Sequence, residues 1–248
     1  MALFRKKPCN YPIKVVRGIK IFTVDILLNP SFLYYLSEKL RRRDKLMKKQ
    51  VILIHGGLTF DTHKDYLLFL KNLKIDLNRY RRIKWSDSLR QELGSKFDVL
   101  LPKMPNPMNA KYSEWKILFK KIAPLLENNV ILIGHSLGAM FLVKYLSENK
   151  FPKRILATLL VSAPYNNKGI EESLGDFILP KSLDKLNKQG GKIFIYQSKD
   201  DLVVPYSHFE KYKKALPNAI IKEFKKRGHF NQPKFPELIK DIKRLLSG

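Results

Sequence analysis

From Val51 onward the chain alternates short apolar runs with longer stretches in which apolar residues return every three or four positions. The short runs are the size of buried strands, and the longer ones have the period of amphipathic helices. Strands are predicted at Val51–Ile54, Phe97–Leu101, Val130–Ile133, Ile155–Val161, Ile193–Tyr196 and Ile220–Phe224. Helices fill the intervals at Lys64–Leu73, Asp87–Leu93, Ser113–Leu126, Ala139–Ser147, Ser207–Ala215 and Pro236–Leu246, with Pro124 expected to shorten or kink the third. Strands and helices in strict alternation give the α/β class, a mostly parallel sheet with helices on both faces.

Before residue 50 the pattern is weaker. Strand alternation is visible at Ile13–Val16 and Ile19–Val24, and a helix is expected after Ser31, ending in the cluster Arg41-Arg42-Arg43. Two readings fit. These segments add an antiparallel hairpin, turning at Arg17-Gly18, to the edge of the sheet, or they form a peripheral extension. The second is preferred because Val51 already opens the first strong strand–helix unit, and it divides the chain into a basic N-terminal extension, 1–46, and a domain, 47–248.

A chain of 248 residues with 44% hydrophobic content can bury one sizeable core. Its charge is unbalanced, with 48 Lys and Arg against 22 Asp and Glu, a formal net charge of +26. Such a field attracts nucleic acid, anionic membranes or acidic substrates without any specific site. The excess runs through the whole sequence, which favours solvated lysine-rich faces over a specific nucleic-acid site. A lone cysteine, Cys9, offers neither a disulfide nor metal-ligand spacing, so a reducing, cytoplasmic location is expected. Lys20 and Asp25 interrupt the Ile19–Leu28 stretch, and no other apolar run suits a secretion signal or a transmembrane segment.

Chemistry enters at Gly134-His135-Ser136-Leu137-Gly138, which follows a predicted buried strand and opens a predicted helix. A Gly-x-Ser-x-Gly in that context reads as a nucleophile elbow, in which glycines relieve crowding around a strained serine at a helix N-terminus. A hydroxyl needs a base to take its proton and an acid to orient that base. His229, in Arg227-Gly228-His229-Phe230 after the last predicted strand, is the expected base, while His135 inside the elbow is expected to point away from the reaction and His55 to shape a loop. Asp200 and Asp201, after the strand Ile193–Tyr196, compete as the acid; Asp201, four residues before Pro205, has the spacing common in α/β-hydrolases and is selected. The chain order Ser136, Asp201, His229 is the order of that fold. For the oxyanion, the backbone N–H of Leu137 is one expected donor and Gly57, in His55-Gly56-Gly57-Leu58, the other, with Leu58 as the fallback.

Together these residues resemble the YdeN-like serine hydrolases, the family that includes retinoblastoma-binding protein nine. The resemblance spans about Val51 to Leu246 and rests on six motifs. They are His55-Gly56-Gly57, Leu101-Pro102-Lys103-Met104-Pro105-Asn106-Pro107, Ile133-Gly134-His135-Ser136-Leu137-Gly138-Ala139, Leu160-Val161-Ser162-Ala163, Lys199-Asp200-Asp201 with Pro205, and Gly228-His229-Phe230. It implies a compact α/β-hydrolase with the triad Ser136, Asp201 and His229, no cofactor, and Met104 near the rim of the site. Residues 1–46 lie outside it.

The expected reaction is two-step acyl transfer on a small ester, thioester or amide, carboxylesterase-like. Tyr165–Lys188 is the natural place for a short lid, with Phe177, Ile178 and Leu179 as apolar cover, and Leu58, Met104, Phe177 and Ile178 are the expected substrate contacts. The alternative is a non-catalytic binding protein on a hydrolase scaffold, holding an acidic partner or nucleic acid on its basic surface.

Overall fold

The computed structural model describes residues 14–16, 19–21, 30, 34, 48–171 and 173–246. The chain divides into two compact units, residues 1–47 and 48–248. In the first, strands β1 (Lys14–Val16) and β2 (Ile19–Ile21) pair antiparallel in a two-stranded sheet of their own, Lys14 opposite Ile21. The turn expected at Arg17-Gly18, the helix after Ser31 apart from the helical Tyr34, the arginine cluster and Cys9 lie outside the described residues.

In the second unit, β3 (Lys49–Ile54), β4 (Phe97–Leu100), β5 (Val130–His135), β6 (Ile155–Val161), β7 (Lys192–Ser198) and β8 (Ile220–Phe224) form one parallel sheet in the order β4-β3-β5-β6-β7-β8. Its helices are α1 (His63–Asn72), α2 (Leu77–Arg81), α3 (Trp85–Leu93), α4 (Tyr112–Ile122), α5 (Leu137–Glu148), α6 (Asp184–Gln189), α7 (Tyr206–Ala215) and α8 (Pro236–Arg244). From Val51 onward the predicted strands and helices are all present within a few residues. The short α2 and α6 were not predicted, and Pro124 ends α4 in a 3-10 turn, Ala123–Leu125.

Alternation along the strands builds two cores, one on each face of the sheet. Ile52, Ile54, Val130, Leu132, Leu160, Ile193 and Ile195 pack with residues of α4, α5, α6 and α7. Their neighbours Val51, Leu53, Ile131, Ile133, Leu159, Val161, Phe194 and Tyr196 pack with residues of α3 and α8. Helix α5 is buried almost end to end, from Leu137 to Leu146, so its N-terminus is held rigidly against the sheet.

The strand order locates a site before any side chain is considered. After β3 the chain steps outward to β4, then returns to the other side of β3 for β5 and moves on through β6, β7 and β8. The crevice at the carboxyl ends of β3 and β5 is therefore the topological switch point, the place where open α/β sheets hold their ligands.

Candidate active site

Register lines up the residues that leave the sheet at this edge. Ile54 lies beside Gly134, His135 beside Val161, and Val161 beside Tyr196. One or two steps on, Gly56, Ser136 and Ser162 stand side by side. A β-carbon on Gly56 would come within 3.1 Å of the Ser136 Cβ, the Ser136 N–H donates to the Val161 carbonyl at 2.8 Å, and the Ser162 N–H donates to the Tyr196 carbonyl at 2.9 Å.

Ser136 occupies the strained left-handed side of backbone space, φ 55° and ψ −125°, rarely adopted by a residue other than glycine. The turn is over-determined by its neighbours. A β-carbon on Gly134 would sit 2.4 Å from the Ala139 Cα, and one on Gly138 only 2.2 Å from the Ile54 carbonyl oxygen. Both glycines are thus required for the strand and the helix to approach this closely. Ser136 is the N-cap of α5, so the Leu137 N–H, at the first helical position, has no carbonyl of its own helix to reach. Among the described residues, the Ser136 hydroxyl has no hydrogen-bond partner.

The two aspartates after β7 divide the work between them. Asp201 meets the His229 ring, with Nδ1 3.1 and 3.0 Å from its two carboxylate oxygens. Its oxygens also accept the Ser162 hydroxyl, the Gln197 amide at 3.3 Å and the N–H groups of Val203 and Val204 at 2.9 and 3.0 Å. Burial pushes the carboxyl upward, but the bonds and charge of His229, the Ser162 hydroxyl and the Val204 N–H outweigh it and hold Asp201 below the usual carboxylate range. Asp200 faces the other way. It takes the Ser198 hydroxyl at 2.5 Å and the N–H groups of Arg227 and Gly228 at 3.2 and 2.9 Å. That pins the start of the histidine loop, and the Ser198 and Gly228 bonds lower its own acidity range.

Beyond Asp200, the His229 loop is braced by side chains from two further elements. His135 Nε2 lies 3.0 Å from the His229 carbonyl, and because an acceptor faces it, that nitrogen carries the proton. The Trp85 indole N–H donates to the Phe230 carbonyl at 2.9 Å, and the Trp85 backbone N–H to Gln232 at 2.8 Å. Phe230 itself has φ 52°, a conformation held by this bracing and by its rings of contact with Phe224 and Phe235. Burial, then the neighbouring His229, drives the His135 pKa down to about 3, so its ring stays a neutral donor at physiological pH. His135, expected to point away from the reaction, holds His229 by its backbone carbonyl.

His55 does the equivalent work on the opposite wall. Its Nε2 accepts the Met104 N–H at 2.9 Å, which leaves Nδ1 to donate to the Gly56 carbonyl at 2.6 Å. The Gly56 C=O and the Gly57 N–H belong to one planar trans peptide and point in opposite directions. Fixing the first therefore fixes the second. The Leu58 N–H, by contrast, donates to the Pro107 carbonyl at 2.8 Å, which removes the fallback oxyanion donor. Gly57 is confined as well, since a β-carbon there would come within 2.8 Å of the same carbonyl.

Two expected substrate contacts are corrected. Met104 is 2% exposed, its side chain in the core and its N–H on His55. Phe177 is fully buried, edge-on to Tyr112 and Trp115. It belongs to a 3-10 turn, Gly175–Phe177, docked by Asp176, whose carboxylate accepts the Tyr112 and Ser113 N–H groups at 2.7 and 3.1 Å at the start of α4. The apolar residues of Tyr165–Lys188 thus go largely into the fold: Leu174 and Leu183 are buried too, and Ile178 is exposed. Leu58 is half-buried beside Gly57. Sequence reasoning missed Ser162, Gln197 and Trp85 as supports of the site. The signal for Ser162 was present, a small polar residue closing an otherwise apolar strand run. Trp85 carried none, because its partner is a carbonyl 145 residues away. Among the described residues no group of His, Cys, Asp or Glu has the arrangement of a metal site.

Residues 78–240, more than half of the chain, match the family model described as serine hydrolase. The chain is 30% identical over 153 residues to the rat (Rattus norvegicus) serine hydrolase RBBP9, covering 61% of this chain and 79% of that protein. It is 27% identical over 186 residues to YdeN of Bacillus subtilis (strain 168), covering 74% and 87%. The crystal structure of the B. subtilis ydeN gene product superposes with a TM-score of 0.65 at 20% identity, over 81% of this chain and all of that one. The shared architecture is the α/β-hydrolase fold.

Proposed function

The chain belongs to the serine hydrolase family, of the YdeN-like and RBBP9 kind, and on that premise we propose that it cleaves a small ester, thioester or amide through an acyl-enzyme on Ser136. His229 accepts the hydroxyl proton as the oxygen attacks the carbonyl carbon, and Asp201 holds the ring in the tautomer that leaves Nε2 free. The proton passes to the leaving group, and water, activated by the same base, releases the acid. The oxyanion is taken by the N–H groups of Leu137 and Gly57. The observation that carries this reading is the His229 ring held on Asp201 through Nδ1, on a loop anchored to the residue preceding Ser136. The apolar residues of Tyr165–Lys188 that pack into the core support an uncovered site and short acyl groups, and the single cysteine supports a cytoplasmic setting. A catalytic unit beginning at Met47 is part of the proposal.

A panel of p-nitrophenyl esters of graded acyl length tests it. The expected result is an initial burst followed by steady turnover, with kcat/KM highest for the shortest acyl groups. Absence of turnover on every ester and amide offered, by folded protein, would favour a binding protein on a hydrolase scaffold.

A further inference from the structure

The segment that leaves the β3 loop is built unlike the rest of the domain. Helix α1 is started by its own capping box, in which the Asp65 N–H bonds the Thr62 hydroxyl and the Thr62 N–H bonds the Asp65 carboxylate, both at 3.1 Å. Helix α2 is started by the Asp76 side chain on the Asn78 N–H at 2.9 Å. Tyr66 and Phe69 rest on Phe60, with ring centroids 5.5 and 5.1 Å away. Among the described side chains from His63 to Lys84, none is buried. Leu68, Ile75, Leu77, Tyr80 and Ile83 are each more than half exposed, and Leu67 and Leu70 are exposed as well. Isolated apolar side chains at a surface need no explanation, but seven within 17 residues do.

The charges of the same stretch say what covers it. It carries seven Lys and Arg against two Asp and Glu, and both acids cap helices, Asp76 also pairing with Arg82 at 3.5 Å. An acidic or neutral apolar surface of this chain would be needed to satisfy it from within. Leucine and isoleucine predominate over aromatic side chains, which suits acyl tails better than stacked bases. We propose that His63–Lys84 is a docking surface for an anionic lipid bilayer, its aliphatic side chains entering the acyl boundary and its lysines and arginines pairing with the headgroups. Among the described residues no helix is long and apolar enough to cross a membrane, and the attachment proposed for this surface is peripheral. It stands independently of the chemistry proposed for Ser136.

The test is co-sedimentation of the full chain with extruded vesicles of phosphatidylcholine alone and of phosphatidylcholine with phosphatidylserine. Wild type should pellet with the anionic vesicles and at least about tenfold less with the neutral ones. Arg81→Glu with Arg82→Glu should lower anionic partitioning about tenfold or more, and Leu68→Ser with Leu77→Ser and Ile83→Ser should lower it about tenfold at unchanged charge. Both variants should keep the wild-type circular dichroism spectrum, since none of these side chains is buried. Equal partitioning onto the two vesicle types, no partitioning at all, or variants that pellet like wild type would overturn the proposal. So would self-association that the serine variant disperses, which marks the surface as an interface between copies. Duplex DNA binding lost on charge reversal but indifferent to the serine substitutions, without vesicle binding, would assign the surface to nucleic acid instead.

Discussion

Two segments that leave the carboxyl edge of the sheet are held in opposite ways. The His229 loop is gripped from three directions, by Asp200 at Gly228, by His135 at the His229 carbonyl and by Trp85 at the Phe230 carbonyl. In the segment His63–Lys84, Tyr66 and Phe69 rest on Phe60, and none of the described side chains is buried. A loop proposed to present one ring atom to within a few tenths of an ångström needs partners on several elements. A segment that meets a soft, laterally uniform surface needs only caps and composition. The difference teaches that position along the same sheet edge does not decide rigidity; the hydrogen-bond partners supplied by other elements do.

Substitutions at the two aspartates cut into the rigid side of this comparison most deeply. Asp201→Asn should lower kcat/KM by about 10³ to 10⁴, because the amide favours the wrong histidine tautomer, whereas Asp200→Asn should cost less than about tenfold, since it loosens only the loop. Equal losses, measured on one soluble ester, would break the division between them. Ser162→Ala comes next. It removes a donor from the Asp201 carboxylate and should cost about tenfold in kcat/KM, while moving the acid limb of the pH profile to higher pH, since a carboxylate with fewer donors binds its proton more tightly. An unmoved limb would mean that Ser162 merely fills space.

Legibility in the sequence follows the same division. The sheet, most of the helices and the elbow were legible because burial repeats every two or every three to four residues and because a serine turn crowded by Ala139 and Ile54 needs glycines on both sides. That Asp201, not Asp200, meets the His229 ring was expected from its distance to Pro205. The grip on His229 was not, since it depends on a tryptophan and a histidine brought to successive carbonyls by β5 and α3, elements far apart in sequence. Phe177 and Met104 were misplaced for the complementary reason: an apolar residue in a loop looks like cover whether it faces a substrate or the core, and here the cap that Asp176 puts on α4 turns Phe177 inward.

The smaller effects sharpen the comparison. His135 has a folded pKa of about 3 against about 6.5 for an unfolded histidine. Between those values the unfolded chain holds a proton that the folded chain excludes, so this contribution to stability is complete above about pH 6.5 and is lost as the pH falls toward 3. It amounts to about 1.4 kcal/mol per pH unit within that window. His135→Gln keeps an N–H for the His229 carbonyl and should flatten the slope by that amount in chemical denaturation followed from pH 7 to 4; an unchanged slope would place the titration elsewhere. Leu68→Ser, on the outward segment, should change the free energy of unfolding by less than about 0.5 kcal/mol and leave turnover of a soluble ester as it was. A larger loss in the same denaturation experiment would mean that this segment is packed after all.

The most direct measurement is covalent labelling by a fluorophosphonate probe, read by intact mass and peptide mapping. On wild-type protein the account predicts one adduct, on Ser136, forming at least about a hundredfold more slowly in His229→Ala and not at all in Ser136→Ala. A folded wild type that takes no label, or a Ser136→Ala variant that is labelled as fast as wild type, would contradict it.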